Sequence, residues 1–175
     1  MKPFLIFLVD DDPFFLRVME IELKQTKYLR HYNYDVKSFS LGENCLANIS
    51  ENPNIVILDY QLDSKFSSAE NGLKILKRIK YFNRQINVMM LSVQDKLEIA
   101  DALHEAGADE YIIKNENSFS RINKAVRNVF DNINMNRKIN QENFRNKIYG
   151  FAIIILIGVV LFLYSKSNFL NSIVR

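Results

Sequence analysis

Cysteine is almost absent from this chain of 175 residues: Cys45 stands alone. A single thiol makes no intramolecular disulfide, so the fold rests on its core, and a reducing compartment suits it. Histidine is nearly as scarce, with only His31 and His104. Both fall in helical or loop segments without ligand partners and read as surface residues, which leaves zinc chemistry little to build on. Neither GxxxxGK[ST] nor GxGxxG occurs, so both glycine-rich nucleotide loops are missing. The opening run MKPFLIFLVDDD turns acidic after a short apolar stretch, with no small-residue cleavage site, and does not read as a signal peptide. A basic excess is also missing from most of the chain. Residues 1–130 carry 17 Lys and Arg against 18 Asp and Glu, whereas residues 131–175 carry six against two. The basic pI therefore belongs to the tail, and no nucleic-acid partner is expected for the folded part.

What is present alternates regularly. Phe4–Val9 is a continuous apolar run, strand-like. Residues 13–26 have helical spacing, with Phe14, Val18, Ile21 and Leu23 apolar. Residues 34–39 alternate as a half-exposed strand does, and 41–49 is a short helix. A buried strand at 55–58, a helix at 72–81 on Leu73, Leu76 and Ile79, and a strand at 87–91 follow. A helix at 96–106, a strand at 110–113 and a helix at 119–133 complete the pattern. Five strands alternating with five helices predict an α/β fold, a doubly wound five-stranded parallel sheet covered on both faces.

The strand ends carry polar residues. The first ends in Asp10 and Asp11, the third in Asp59, the fourth in Ser92 and the fifth in Lys114. For strand order 2-1-3-4-5 these four strands are neighbours, and the second strand, which ends without a charge, is the edge. Open parallel sheets bind ligands outside the carboxyl ends of their strands. Three carboxylates close together repel unless a cation sits among them. With oxygen ligands only, a hard ion such as Mg²⁺ suits better than zinc. A lysine and a hydroxyl at the same rim would hold phosphoryl oxygens. Singly, each residue has an ordinary reading: a βα-loop aspartate, a loop hydroxyl, a solvated lysine. Asp12 and Pro13 read as a helix N-cap and first turn.

The stretches FLIFLVDDDPFFLR, IVILDYQL, NGLKILKRIK, VMMLSVQDK and AGADEYIIK resemble the receiver domain of two-component response regulators, over about residues 3–132. The resemblance implies a flavodoxin-like fold. It implies that Asp59 accepts phosphate from a histidine kinase or phosphotransfer protein. It implies that Asp10, Asp11 and Asp59 hold Mg²⁺, with the backbone carbonyl of Gln61 as a further ligand. Ser92 matches the hydroxyl that follows the phosphoryl group, Lys114 the lysine that pairs with it, and Tyr111 the switch aromatic. Gln61 and Gln94 match the positions that tune phosphate lifetime. The only catalysis implied is the protein's own phosphoryl transfer and dephosphorylation. Two departures stand out. Asp59 is followed by an extended polar loop, DYQLDSKFSSAENG, without the usual Met-Pro and with a late Gly72. Lys114 precedes Asn115 rather than proline, so a trans bond is expected, a cis bond costing about 3 kcal/mol there.

Beyond residue 132 a polar, asparagine-rich linker is expected at 133–147, then a transmembrane helix at 148–164 and a short tail at 165–175. Residues 148–165, IYGFAIIILIGVVLFLYS, hold no charge. Eighteen helical residues reach about 27 Å against a hydrocarbon core of roughly 30 Å. Lys147 and Lys166 can snorkel, and Tyr149 and Tyr164 suit the interfaces. The expectation is a phosphorylation-switched module at the cytoplasmic membrane, facing the cytoplasm. Its output would be an unknown protein bound to the face of the fourth helix, fifth strand and fifth helix. A phosphate sink or relay intermediate and a membrane-anchored scaffold with a vestigial site are the alternatives.

Overall fold

β-Branched and aliphatic runs form the centre of a five-stranded parallel sheet. Its strands are β1 (Phe4–Val9), β2 (Tyr34–Phe39), β3 (Ile55–Asp59), β4 (Asn87–Ser92) and β5 (Glu110–Ile113), in the order β2-β1-β3-β4-β5. The structure is a computed structural model and describes residues 3–62, 71–93 and 97–173, with side chains to Val159 except that of Leu97. The chain divides into two units, Met1–Asp131 and Asn132–Arg175.

In the first unit β3 is buried along its whole length, and β1 and β4 at all but one position, as strands covered on both faces must be. Edge strand β2 alternates half-exposed and exposed, which matches its alternating sequence. The helices are α1 (Pro13–Gln25), α2 (Gly42–Ala47), α3 (Gly72–Phe82), α4 (Leu97–Glu105) and α5 (Ser118–Ile173), with a 3₁₀ turn at Ile49–Glu51. On one face of the sheet Phe7, Val9, Val56, Leu58, Val88 and Met90 join Cys45 of α2, Ile75, Leu76 and Ile79 of α3, and Leu103 of α4. Each fully buried aliphatic side chain there contributes about 1.5–3 kcal/mol relative to exposure.

Helix α1 corrects the sequence pattern. Its buried residues are Leu16, Met19 and Leu23, while Phe14 is 76% exposed and Ile21 39%. The capping of α1 sets that phase. Asp12 accepts from the Phe14 backbone N–H at 2.8 Å, and Pro13 takes the first turn, so Leu16 and Met19 face the sheet.

At the amino ends of the strands an aromatic cluster closes the unit. Phe4 stacks on Phe130 at 4.1 Å, with Tyr32 and Tyr34 packed around Phe130. Gly107, at φ +96°, terminates α4 in the left-handed region that glycine enters freely.

The second unit is the remainder of α5. The helix expected at 119–133 is thus longer than its apolar spacing indicated, and the segment expected as a linker is helical. Its side chains from residue 138 to Val159 are exposed. Among the described residues no helix is long and apolar enough to cross a membrane, so the expected transmembrane helix at 148–164 finds no support there.

Candidate functional site

Register brings four strand ends together. Asp59 pairs with Leu91 and Ser92 with Ile113, so the residues after β1, β3, β4 and β5 emerge along one rim. The Lys114 backbone N–H donates to the Ser92 carbonyl at 2.7 Å and carries the pairing one residue further.

Asp10 and Asp59 are nearly inaccessible, at 2% and 4% exposure, and Ser92 is fully buried. Lys114 Nζ lies 2.6 Å from Asp10 Oδ2 and 2.9 Å from Asp59 Oδ2. The other Asp10 oxygen accepts the Asp12 backbone N–H at 3.0 Å. Asp59 Oδ1 is buried and has no hydrogen-bond partner among the described residues. Burial pushes the Asp59 carboxyl up to about 6; Lys114 opposes this, the charge of Asp10 adds to it, and the Gln61 backbone amide opposes it. Burial acts to lower Lys114, but its contacts with Asp10 and Asp59 outweigh that and raise it.

One carboxylate oxygen each from Asp10, Asp11 and Asp59 lies within 4.8 Å of the others. An all-oxygen set with an orphaned buried oxygen fits a hard divalent cation, and Mg²⁺ is the one such sets hold beside phosphate. Gln61 follows Asp59 by two residues. Tyr111, half-buried on β5 opposite Met90, packs against the core beneath α2–α4. Gln94 and most of the extended loop after Asp59 lie outside the described residues. No peptide bond is cis among the described residues, including that before Asn115.

Two contributors escaped the sequence reading. Phe15 lies under Lys114, its ring centroid 4.5 Å from Nζ, and stacks on Phe119 at 5.8 Å. The lysine is thus pressed between two carboxylates and a ring, a cation–π seat that directs its charge inward. The only sequence signal was an aromatic two residues inside a helix that begins at the site. Gly72 is the second. A Cβ there would meet the Asp59 carbonyl oxygen at 2.2 Å, so only glycine lets α3 begin against the strand end. Its N–H donates to the Tyr60 carbonyl at 3.1 Å.

The parallel sheet thus bears an aspartate–lysine cluster on its carboxyl rim. The chain belongs to the response regulator receiver domain family, whose model matches residues 6–127. It is 25% identical over 114 residues to the probable transcriptional regulatory protein TcrX of Mycobacterium tuberculosis, across 65% of this chain and 44% of that one. The BeF3-activated DrrB receiver domain is 28% identical, with TM-score 0.62 over 74% of this chain and 99% of that chain. The response regulator DrrB, a Thermotoga maritima OmpR/PhoB homolog, is 25% identical, with TM-score 0.59 over 75% and 54%. This chain therefore spans under half of its curated relative. Receiver domains of two-component systems are phosphorylation switches, and histidine kinases or phosphotransfer proteins are their partners.

Proposed function

We propose that this chain is a membrane-tethered receiver, phosphorylated on Asp59 by a histidine kinase or phosphotransfer protein and switching a protein–protein contact. The observation that carries the phosphoacceptor role is Asp59 Oδ1, a buried carboxylate oxygen with no hydrogen-bond partner among the described residues, at the end of a rigid strand. In the transfer, an Asp59 oxygen bonds to phosphorus as the P–N bond to the donor imidazole breaks. The nitrogen keeps the electron pair, and the product is an acyl phosphate. Lys114, already 2.9 Å from Asp59, then pairs with a phosphoryl oxygen. Asp10, Asp11, Asp59 and the Gln61 backbone carbonyl are the residues that would hold Mg²⁺, which supplies charge neutralisation when bound. Ser92 hydrogen-bonds the phosphoryl group, and Tyr111 carries the change to the face of α4, β5 and α5. Gln61 and Gln94 set how long the mark lasts, and that lifetime separates a switch from a phosphate sink.

The tether rests on the tail. Ile153, Ile154, Ile155, Leu156 and Ile157 are consecutive in one helix and are all more than half exposed. A helix that is apolar all round needs an apolar solvent. Arg137, Lys138, Arg145 and Lys147 precede the apolar run, and Lys166 and Arg175 follow it. Four basic residues against two favour a cytoplasmic receiver at the cytoplasmic membrane.

The phosphoacceptor test treats the full chain with a small phosphodonor and Mg²⁺, then traps the acyl phosphate with hydroxylamine. Label on residue 59, absent from Asp59→Ala and suppressed by EDTA, is the expected result. Undiminished labelling of that variant would overturn it. For the tether, carbonate extraction should leave the chain in the membrane fraction.

A further inference from the structure

We propose that the amino-end rim of the receiver unit is a docking surface for an anionic lipid bilayer, which holds the aspartate cluster facing away from the membrane. This rests on the tether reading and adds an orientation to it. The rim is where α1 and α3 end before β2 and β4 begin, one on each side of the sheet. Lys24, Lys27 and Arg30 lie at the end of α1 and the turn after it, and Lys77 and Arg84 at the end of α3 and beyond; all five are exposed. Among the acidic residues of these elements, Asp109 is paired with Lys80 at 2.6 Å and Asp131 with Arg127 at 3.5 Å. Glu22, Asp35, Glu105 and Glu110 lie here too, and Lys24 is shared with Glu20 at 3.9 Å, so the basic character is concentrated around Lys27 and Arg30 on one side and Lys77 and Arg84 on the other.

Exposed aromatics sit among these charges. Tyr81 is 94% exposed, Tyr28 56% and Phe82 51%, although Ile79 beside them is fully buried. Each is more than half open to solvent, and Arg127 lies over the Tyr28 ring at 5.8 Å. Basic side chains interleaved with Tyr and Phe suit an anionic interface, where the charges meet headgroups and the rings enter the headgroup layer. The opposite rim leans acidic: Asp10, Asp11, Asp12, Glu43, Asp59, Glu98 and Glu116 lie on strand ends, loops or first turns at the carboxyl ends, against Lys74, Lys114 and Arg121. Near neutrality over the first 130 residues therefore conceals a separation of charge along the strands. An anionic bilayer attracts one end and repels the other.

Chain path selects lipid over other polyanions. The unit ends at Asp131, next to Phe130, whose ring stacks on Phe4 at the start of β1. The Tyr32 hydroxyl, on the same rim, donates to Asp131. The residues leading to the apolar run thus leave from the basic rim and not from the aspartate rim. A bilayer that takes residues 148–164 is then tethered to this end through residues 132–147, which raises its effective concentration there.

The test uses the full chain in nanodiscs of neutral phosphatidylcholine and in discs containing phosphatidylglycerol. An environment-sensitive fluorophore is placed at Gln85→Cys on the basic rim or, as control, at Asn117→Cys on the other. Cys45 is fully buried and stays unlabelled. The expected result is a blue shift at residue 85 in anionic discs alone, none at residue 117, and reversal by salt. Lys27→Glu, Arg30→Glu and Arg84→Glu together should weaken docking at least about tenfold, since each basic residue near an anionic surface strengthens binding roughly fivefold. Retained labelling of Asp59 would show that this variant is folded.

The two readings separate cleanly. Insertion in both discs with an unchanged signal at residue 85 overturns the docking surface and keeps the tether, leaving the basic rim to an acidic protein or a nucleic acid. Failure to insert, with salt-sensitive contact of residue 85 to anionic vesicles, overturns the tether and keeps the docking surface. Equal shifts at residues 85 and 117 overturn the orientation, and no contact of any kind overturns both.

Discussion

The two ends of the sheet solve opposite problems with the same strands. At the carboxyl end Asp10 and Asp59 are taken almost wholly out of water and share one lysine, and an Asp59 oxygen has no partner among the described residues. At the amino end Phe4, Tyr32, Tyr34 and Phe130 close the core, and both tyrosine hydroxyls have acceptors, Tyr34 in the Leu23 carbonyl at 2.6 Å and Tyr32 in Asp131. One end holds buried charge at a cost in stability. The other spends its large side chains on packing. Function and stability are thus separated along the strand direction and should respond to different substitutions.

The widest separation comes from exchanging damage between the ends. Phe130→Ala removes a fully buried ring that touches three aromatics, and it should destabilise by about 3–5 kcal/mol. The urea midpoint should fall while the surviving native fraction still accepts phosphate on Asp59. Asp59→Ala should do the reverse, abolishing acyl phosphate without a comparable loss of stability. A Phe130→Ala protein that folds normally but cannot be labelled would break the comparison.

A second test uses pH. The Asp59 carboxyl is raised from 3.8 to about 6 by burial first, with Asp10 adding to it. A raised carboxyl binds its proton more tightly folded than unfolded. Its contribution is full below the unfolded value and is lost as pH rises through the folded one. In EDTA at pH 8 the ionised group therefore costs about 1–3 kcal/mol, and Asp59→Asn should melt higher than wild type there. At pH 4 the two should converge, and Mg²⁺ should close the gap at pH 8 by stabilising the wild type alone. A gap that widens towards acid would mean that burial does not govern this carboxyl.

Ser92→Ala probes the path away from the cluster. The nucleophile and its lysine remain, so phosphate uptake should stay within about tenfold of wild type. The hydroxyl that follows the phosphoryl group is gone, so chemical shifts of α4 and β5 on adding beryllofluoride should shrink. Equal shifts in both proteins would detach Ser92 and Tyr111 from the switch.

These effects also mark what the sequence could and could not convey. Strands β1 and β5 ended where their apolar runs ended and β2 where its alternation ended, because a strand stops where its side chains no longer have a covered face. The polar residues at Asp10, Asp11, Asp59, Ser92 and Lys114 were legible because a regular parallel sheet delivers strand ends to one rim. The exposure of Phe14 and Ile21 was not legible because apolar character alone does not set the phase of a helix; the Asp12 cap and the sheet surface do. Phe15 was invisible as a site residue because its role comes from Lys114, 99 positions later. The close seat of Gly72 depends on where α3 meets β3, which spacing does not encode. Helix α5 outran its pattern since helix continues wherever nothing stops it, and residues 119–147 contain neither glycine nor proline.

The finest test of the two-ended picture compares the two tyrosines that finish the amino end. Tyr34 is half-buried and donates to the Leu23 carbonyl, which has no further turn of α1 to complete it. Tyr34→Phe leaves that carbonyl without this donor, and about 1–2 kcal/mol of stability should be lost. Tyr32 donates to Asp131 at an exposed position, where water replaces the bond readily; Tyr32→Phe should cost only about 0.5–1 kcal/mol. Both hydroxyls titrate above their usual 10, Tyr32 through its hydrogen bond to Asp131 first and Tyr34 through burial. The sign follows: each group favours folding while it keeps its proton, and that contribution is lost as pH rises through the raised value. Urea titrations of wild type and the two variants at pH 8 and above pH 10 read this directly. The variants should lie below wild type at pH 8 and approach it in alkali, Tyr34→Phe from further away. Losses of equal size, or gaps that persist unchanged in alkali, would mean that packing rather than the two hydroxyls secures this end of the sheet.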